Sequence, residues 1–275
     1  MLGASGKLGG IVQRFWSSSD IQVSDFVPVF RSKCMGQTGL VWKPGQGVPQ
    51  AEQGSTVLAL WGVTQGNFQA LEDNVSLARA AMEFGAAIGA RRVIHCSSAA
   101  VYLPGPDPLS EVQTHRVPAP YGASKQRMEQ AVSALCAAHP DGPEGACLRI
   151  GNVAGADSLF ANMKPGGRIT LDRFADGSGP CRSYIAPSDL AKVLAQACIA
   201  KSLPKVFNVA APVPTSMKDL ADAAGCDVTW RDAPAEAAPL VWLDTSLMQT
   251  IFPIDADRAK PAVLIADAKD AGVWP

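Results

Sequence analysis

"MLGASGKLGG", residues 1–10, sets Gly3, Gly6 and Gly9 directly ahead of "KLGGIVQRFW", whose Leu8, Ile11, Val12 and Phe15 fall on one side of a helix. A glycine turn that runs into a helix start suits an anion, because the first N–H groups lack intrahelical partners and the dipole points at the ligand. In such a turn Gly3 allows the tight bend, Gly6 admits a pyrophosphate and Gly9 lets helix and sheet pack closely. The spacing here is three and three, and a chain with 25 glycines makes chance matches common. By itself the loop is equally an ordinary turn.

Only Met1 and Leu2 stand before it, where a strand of about five apolar residues is usual. In a doubly wound sheet that strand would be central, and burying each Val, Leu or Ile side chain yields roughly 1.5–3 kcal/mol. A truncated first strand is therefore the expectation, with Met1 an internal methionine of a longer chain or a wrongly assigned start. An added upstream strand is expected to raise stability.

Downstream, strand-like and helix-like stretches alternate. "FVPVFR" and "GLVWK" read as strands, and "STVLALWGV" as a strand buried on both faces. A helix follows from about Gln69 to Gly89, with Leu71, Val75, Ala78 and Met82 at helical spacing. Then come the strand "RRVIHCSS", the helix "YGASKQRMEQAVSALCAAH" and the strand "GACLRIGNV". This βαβ rhythm predicts an α/β fold with a doubly wound parallel sheet, ligands lying at the carboxyl ends of its strands. Residues 1–153 are read as the dinucleotide-binding core. Residues 154–275 are read mainly as a smaller substrate lobe, with core elements returning at about 182–209 ("SDLAKVLAQACIA" and "KVFNVA"). "LVWLDTSLMQTIFP" reads as core packing of that lobe.

Composition narrows the classes. The chain has 275 residues, 47% apolar and 18% charged, with a net charge of -1, so neither nucleic acid nor an anionic membrane is an expected partner. Seven scattered cysteines (Cys34, Cys96, Cys136, Cys147, Cys181, Cys198, Cys226) never form CxxC, which suits reduced thiols in the cytoplasm. His95, His115 and His139 make no ligand pair, so no metal site is expected. No signal peptide or membrane-spanning run is read.

Chemistry enters with "YGASK". Tyr121 and Lys125, four residues apart on a helix, project from one face. A nearby ammonium, helped by the positive nicotinamide of the oxidised cofactor, is expected to lower a phenol pKa from about 10, so that Tyr121 can take a proton from an alcohol or give one to a carbonyl. "HCSSAAVY" ends a strand with Ser97 and Ser98, either of which could hydrogen-bond the reacting oxygen. "VFRSK" places Arg31 and Lys33 where a ribose-binding acid favours NAD and an arginine can meet the extra phosphate of NADP. The cofactor is NADP or NAD, with a lean to NADP.

On these motifs the chain resembles the extended short-chain dehydrogenase/reductase family, the NAD(P)-dependent epimerases and dehydratases acting largely on nucleotide sugars. "GASGKLG" resembles its cofactor loop, which implies Gly3, Ser5, Gly6, Lys7, Leu8 and Gly9 as cofactor-binding residues. Trp61, Asn74, Ser97, Tyr121 and Lys125 join that set. "HCSSAAVY" resembles SSxxVY and implies Ser98 as the catalytic hydroxyl. "PLSEVQTHRVPAPYGASK" implies Tyr121 as acid/base with Lys125 as its partner. "LRIGNVAG" and "DGSGPCRSYIAPSDLA" imply Asn152 and Arg182 as substrate-binding, the arginine at a diphosphate. Relatives commonly dimerise through the helices flanking the sheet, so a homodimer is implied.

The departures carry information too. Ala99 and Ala100 stand where family dehydratases place an Asp-Glu pair and decarboxylases a glutamate. This argues for an epimerase or a simple oxidoreductase. Leu103 replaces a glycine often found after VY. Two other readings stay open: a silent NADP-binding sensor or scaffold, and a reductase of small non-sugar carbonyls.

Overall fold

The structure, a computed structural model, describes residues 1–17, 23, 26–33, 36, 38–50, 53–113 and 119–275. Cys34, His115 and residues 114–118 of the stretch leading to "YGASK" lie outside the described residues.

In chain order the first elements are α1 (Lys7–Trp16), β1 (Val29–Phe30), β2 (Leu40–Val41), β3 (Thr56–Ala59), α2 (Phe68–Ala87), β4 (Arg92–Ser98), α3 (Pro120–Ala138) and β5 (Glu144–Ile150). There follow β6 (Asn152–Val153), α4 (Ser158–Asn162), β7 (Arg168–Arg173), β8 (Cys181–Arg182), β9 (Tyr184–Ile185), α5 (Pro187–Ile199) and β10 (Val206–Val209). The last are β11 (Thr215–Ser216), α6 (Met217–Ala223), β12 (Asp227–Asp232), β13 (Leu240–Val241), α7 (Ser246–Gln249) and α8 (Pro261–Asp270). The chain forms two units, the first from residues 1–101, 115–149 and 194–207, the second from 102–114, 150–193 and 208–275.

The first unit carries the main sheet. β10, β5, β4 and β3 are neighbours in that order, and β1 pairs in parallel with β2. Leu2 joins the two groups through parallel bridges to Val29 of β1 and Ala59 of β3. Its N–H donates to the Leu58 carbonyl at 2.8 Å, and its carbonyl accepts from Leu60 at 3.0 Å. On the other side the Val29 N–H reaches the Met1 carbonyl at 2.8 Å. One fully buried leucine thus occupies the seam where strand order reverses, the switch point at which such sheets bind ligands.

Helix packing follows from sequence. α1 buries Gly9, Ile11, Val12 and Trp16, while Leu8 and Phe15 of the predicted stripe are only partly buried; Trp16 packs edge-on against Phe26 at 5.4 Å. Asn67 caps α2 by accepting from the Ala70 N–H, and the helix buries Leu71, Ala78 and Met82 of the predicted stripe, with Val75 only partly buried. The Trp42 ring packs at a tilt against Phe84, centroids 4.7 Å apart, within the core that also holds Val57 and Ala59 of β3.

The second unit has its own core, built on Leu159, Phe160, Tyr184, Leu220, Leu264 and Trp274. Here β12 runs parallel to β7 from Asp227 opposite Arg168 to Asp232 opposite Arg173. Asn208 is its polar hub: Oδ1 accepts from the Tyr102 hydroxyl at 2.7 Å, and Nδ2 donates to the Leu109 and Asp244 carbonyls at 2.8 Å each. Leu243 and Met248 of the "LVWLDTSLMQTIFP" stretch are fully buried. Among the described residues no helix is long and apolar enough to cross a membrane.

Candidate active site

The glycine loop is held by steric necessity. Gly3 has φ +80, where an L side chain is strained, and a Cβ on it would lie 2.8 Å from the Trp61 nitrogen. A Cβ on Gly9 would lie 2.4 Å from the Gly3 carbonyl oxygen, so only glycine lets α1 sit this close to the loop. Gly6 is the N-cap of α1 in an extended conformation and supplies no side-chain cap. Ser5, Gly6 and Lys7 are exposed and Leu8 is partly so. A ten-residue helix thus presents an uncapped first turn to solvent, the donor set a pyrophosphate requires. The cradle fits a dinucleotide. Arg31 and Lys33 are exposed just past β1.

The end of β3 links this cradle to the lysine. Trp61 backs onto Gly3, and the next residue, Gly62, comes so close to Lys125 that a Cβ there would lie 3.1 Å from Nζ and 3.0 Å from Asn74 Oδ1. Asn74 is buried and fully engaged. Its Nδ2 donates to Val63 O at 2.9 Å, Leu71 O at 3.1 Å and Ser124 Oγ at 3.1 Å, and its Oδ1 accepts from the Val63 N–H at 3.0 Å. Its amide therefore ties the loop after β3 to α2 and α3 rather than facing outward as a free donor. The Trp61 ring lies 6.0 Å from that of Trp42.

β4 is buried until Ser98, where it turns into a short 3-10 segment (Ala99–Val101). Pro120 at the first turn of α3 fixes the helix start, so Tyr121 and Lys125 occupy its first two turns. Lys125 is buried, with Nζ donating to the Cys96 carbonyl at 2.8 Å and standing 6.0 Å from the centre of the Tyr121 ring. The Ser98 hydroxyl accepts from the Ala100 N–H at 3.2 Å, and Ser98 lies near enough to the Tyr121 phenol to draw its pKa down.

Burial raises the Tyr121 pKa above its ordinary value, and Ser98 partly offsets this. Burial also depresses the pKa of Lys125, which gives one of its three N–H groups to the Cys96 carbonyl. Ser97 also turns elsewhere: its hydroxyl donates to Glu129 Oε1 at 2.6 Å. Glu129 in turn pairs with Arg149, through Nε to Oε1 at 3.0 Å and Nη2 to Oε2 at 2.7 Å.

Within the second unit, Asn152 lies opposite Tyr184, and Arg182 lies two residues before that tyrosine. The Asn152 amide donates to Asp157 Oδ2 at 2.7 Å, an oxygen that also accepts from the Tyr184 hydroxyl at 2.7 Å. Arg182 Nη1 donates to the carbonyls of Cys181 at 2.8 Å and Pro239 at 3.3 Å, and burial lowers its pKa.

Sequence reading passed over Gly62, Glu129, Arg149 and Asp157. Two signals were present: Glu129 continues the four-residue spacing from Lys125, and Arg149 is a charge inside the apolar strand "GACLRIG".

Residues 61–210 match the family described as the NAD dependent epimerase/dehydratase family. Among solved structures, MoeE5 in complex with UDP-glucose and NAD is 19% identical, with a TM-score of 0.75 over 98% of this chain and 98% of that one. A UDP-glucuronic acid 4-epimerase from Bacillus cereus is 16% identical, with a TM-score of 0.74 and 98% of both chains covered. TunA, an NAD dependent NDP-hexosamine 5,6-dehydratase, is 18% identical, with a TM-score of 0.73 over 98% of this chain and 96% of that one. At these identities the likeness is one of fold. A comparison with curated proteins finds no match.

Proposed function

The chain belongs to the NAD dependent epimerase/dehydratase family, and on that footing we propose that it moves a hydride at a carbinol or carbonyl carbon of a nucleotide sugar, as an epimerase or a reductase. The observation that carries this reading is the meeting of Ser98, Tyr121 and Lys125 at the end of β4. The uncapped start of α1 beside Gly3 supports a bound dinucleotide, and structural neighbours bound to NAD and UDP-sugars support both the cofactor and the substrate class.

NAD(P), when bound, supplies the hydride acceptor or donor. Tyr121 handles the proton: it takes one from the carbinol hydroxyl on oxidation and returns one to the carbonyl oxygen on reduction. Ser98 hydrogen-bonds that oxygen and keeps it beside the phenol. Lys125 holds the end of β4 through the Cys96 carbonyl and supplies positive charge under the site. Gly3, Ser5, Gly6, Lys7, Leu8 and Gly9 would hold the pyrophosphate, with Arg31 at the ribose and Trp61 walling the loop. Asn152 and Arg182 are assigned to the sugar nucleotide. Ala99 and Ala100 carry no titratable group, so no second proton is moved at those positions. That supports epimerisation or simple redox chemistry over dehydration.

The test is turnover on UDP-, GDP- and dTDP-sugars with NAD(H) or NADP(H). Tyr121→Phe is expected to abolish turnover and leave cofactor affinity within about twofold. Full activity in that variant would overturn the proton-transfer role. Cofactor binding with no turnover on any sugar or simple aldehyde would leave a sensor or scaffold instead.

A further inference from the structure

Tyr121, Lys125 and Glu129 recur every four residues and form one stripe along two turns of α3. The three lie against the last three residues of β4. Lys125 Nζ donates to the Cys96 carbonyl at 2.8 Å, Glu129 Oε1 accepts from Ser97 Oγ at 2.6 Å, and Ser98 lies beside the Tyr121 phenol and draws its pKa down. The third rung is the most sheltered. The Glu129 and Arg149 side chains are only 9% and 10% exposed, and Arg149 enters from β5 to bind both carboxylate oxygens.

We infer that the Ser97–Glu129–Arg149 cluster is a positioning device that fixes the register of α3 against the end of β4, and so the approach of Tyr121 to Ser98. This rests on the assignment of those two residues to the reacting oxygen. A carboxylate is suited to the task for two reasons. Its two oxygens accept from a serine on one element and a guanidinium on another at the same time. The geometry is also costly to leave, since losing Glu129 takes two charge-assisted hydrogen bonds from a buried guanidinium. Ser97, whose neighbour Ser98 faces the phenol, is thereby locked one residue behind the reacting group. A misplacement of about 1 Å at such a site costs on the order of a hundredfold in rate.

The experiment uses the full chain and two readouts. The first is kcat and KM for Ser97→Ala, Glu129→Gln and the double variant, with unfolding midpoints as a check on folding. The second is a titration of labelled tyrosine ring carbons by NMR, which is tractable because the chain has only three tyrosines. Ser97→Ala changes no charge. It is expected to lower kcat at least tenfold, leave KM and cofactor affinity within about twofold, and move the Tyr121 titration by more than half a pH unit. The double variant is expected to lose no more than Glu129→Gln alone, because both break the same rung. A folded Ser97→Ala protein with wild-type kcat and an unmoved Tyr121 titration would overturn the inference, as would strictly additive losses. If no substrate turns over but the titration moves, the cluster stands and the proposed activity falls.

Discussion

Gly62 lies tight against Lys125: a Cβ at Gly62 would stand 3.1 Å from Nζ and 3.0 Å from Asn74 Oδ1, so a neighbour would have to give by a few tenths of an ångström. Four hydrogen bonds pin Asn74, so the lysine is the group that must yield. Gly62→Ala is therefore expected to pull Nζ off the Cys96 carbonyl. Overpacking of this kind costs about 1–3 kcal/mol, to be read from denaturant unfolding. Turnover is expected to fall by roughly tenfold or more, as misplaced catalytic groups do. Wild-type stability and rate in the alanine variant would show that this contact is slack.

Ser98 opposes the burial that raises the Tyr121 pKa, so removing it should raise that pKa further. Alcohol oxidation needs the phenolate, and its rate rises with pH along the limb set by Tyr121. Ser98→Ala should shift that limb to higher pH and lower the rate at neutral pH. The check is a kcat/KM profile against pH for both proteins. A limb that stays in place would mean that the serine does not stabilise the phenolate.

His95, on β4, is buried, and burial followed by the charge of Lys125 holds its pKa down at about 3. The unfolded value is about 6.5, so the folded state binds a proton less readily than the unfolded chain. Stability from this group is fully present above pH 6.5 and is lost as pH falls through 6.5 toward 3. His95→Gln should flatten the decline in unfolding free energy across that window. The same steepness in wild type and variant would place the acid sensitivity on other groups.

The sequence made the stripe from Tyr121 to Lys125 legible because four-residue spacing on a helix dictates a shared face. It made the βαβ order legible because the strand from Ser55 to Val63 and the helix after it have distinct periodicities. Two features lay beyond it. One is the burial that raises the Tyr121 pKa, since depth cannot be read from spacing. Asn74 occupies the expected helix, but its hydrogen bonds all point to Val63, Leu71 and Ser124, because the chain folds back over it.

Arg31 sits exposed one residue beyond β1, where a ribose-binding residue stands in doubly wound folds. If it meets a 2′-phosphate, Arg31→Asp should weaken NADPH binding by about tenfold or more, the scale of one charge-assisted hydrogen bond. NADH affinity should hold or improve. Nicotinamide fluorescence titrations with both cofactors decide this, and equal losses for the two would assign Arg31 no part in the choice.

Arg182 separates a nucleotide sugar from a small uncharged carbonyl. Its Nη1 is bound by the Cys181 and Pro239 carbonyls, which orient the guanidinium without neutralising it, and burial lowers its pKa. A diphosphate would supply the missing negative charge, and a hydrogen bond to a charged group contributes about 1.5–3 kcal/mol. Arg182→Ala should therefore raise KM for a nucleotide sugar by roughly 10- to 100-fold, with kcat within a fewfold, because the contact is made equally before and during the reaction. Cofactor affinity should be unaffected, as the glycine loop is intact. With a simple aldehyde the same variant should show no KM change, since that substrate offers the guanidinium no anion. If KM for every nucleotide sugar is also unchanged, Arg182 serves the packing of its own lobe, and the substrate lacks a phosphate at that position.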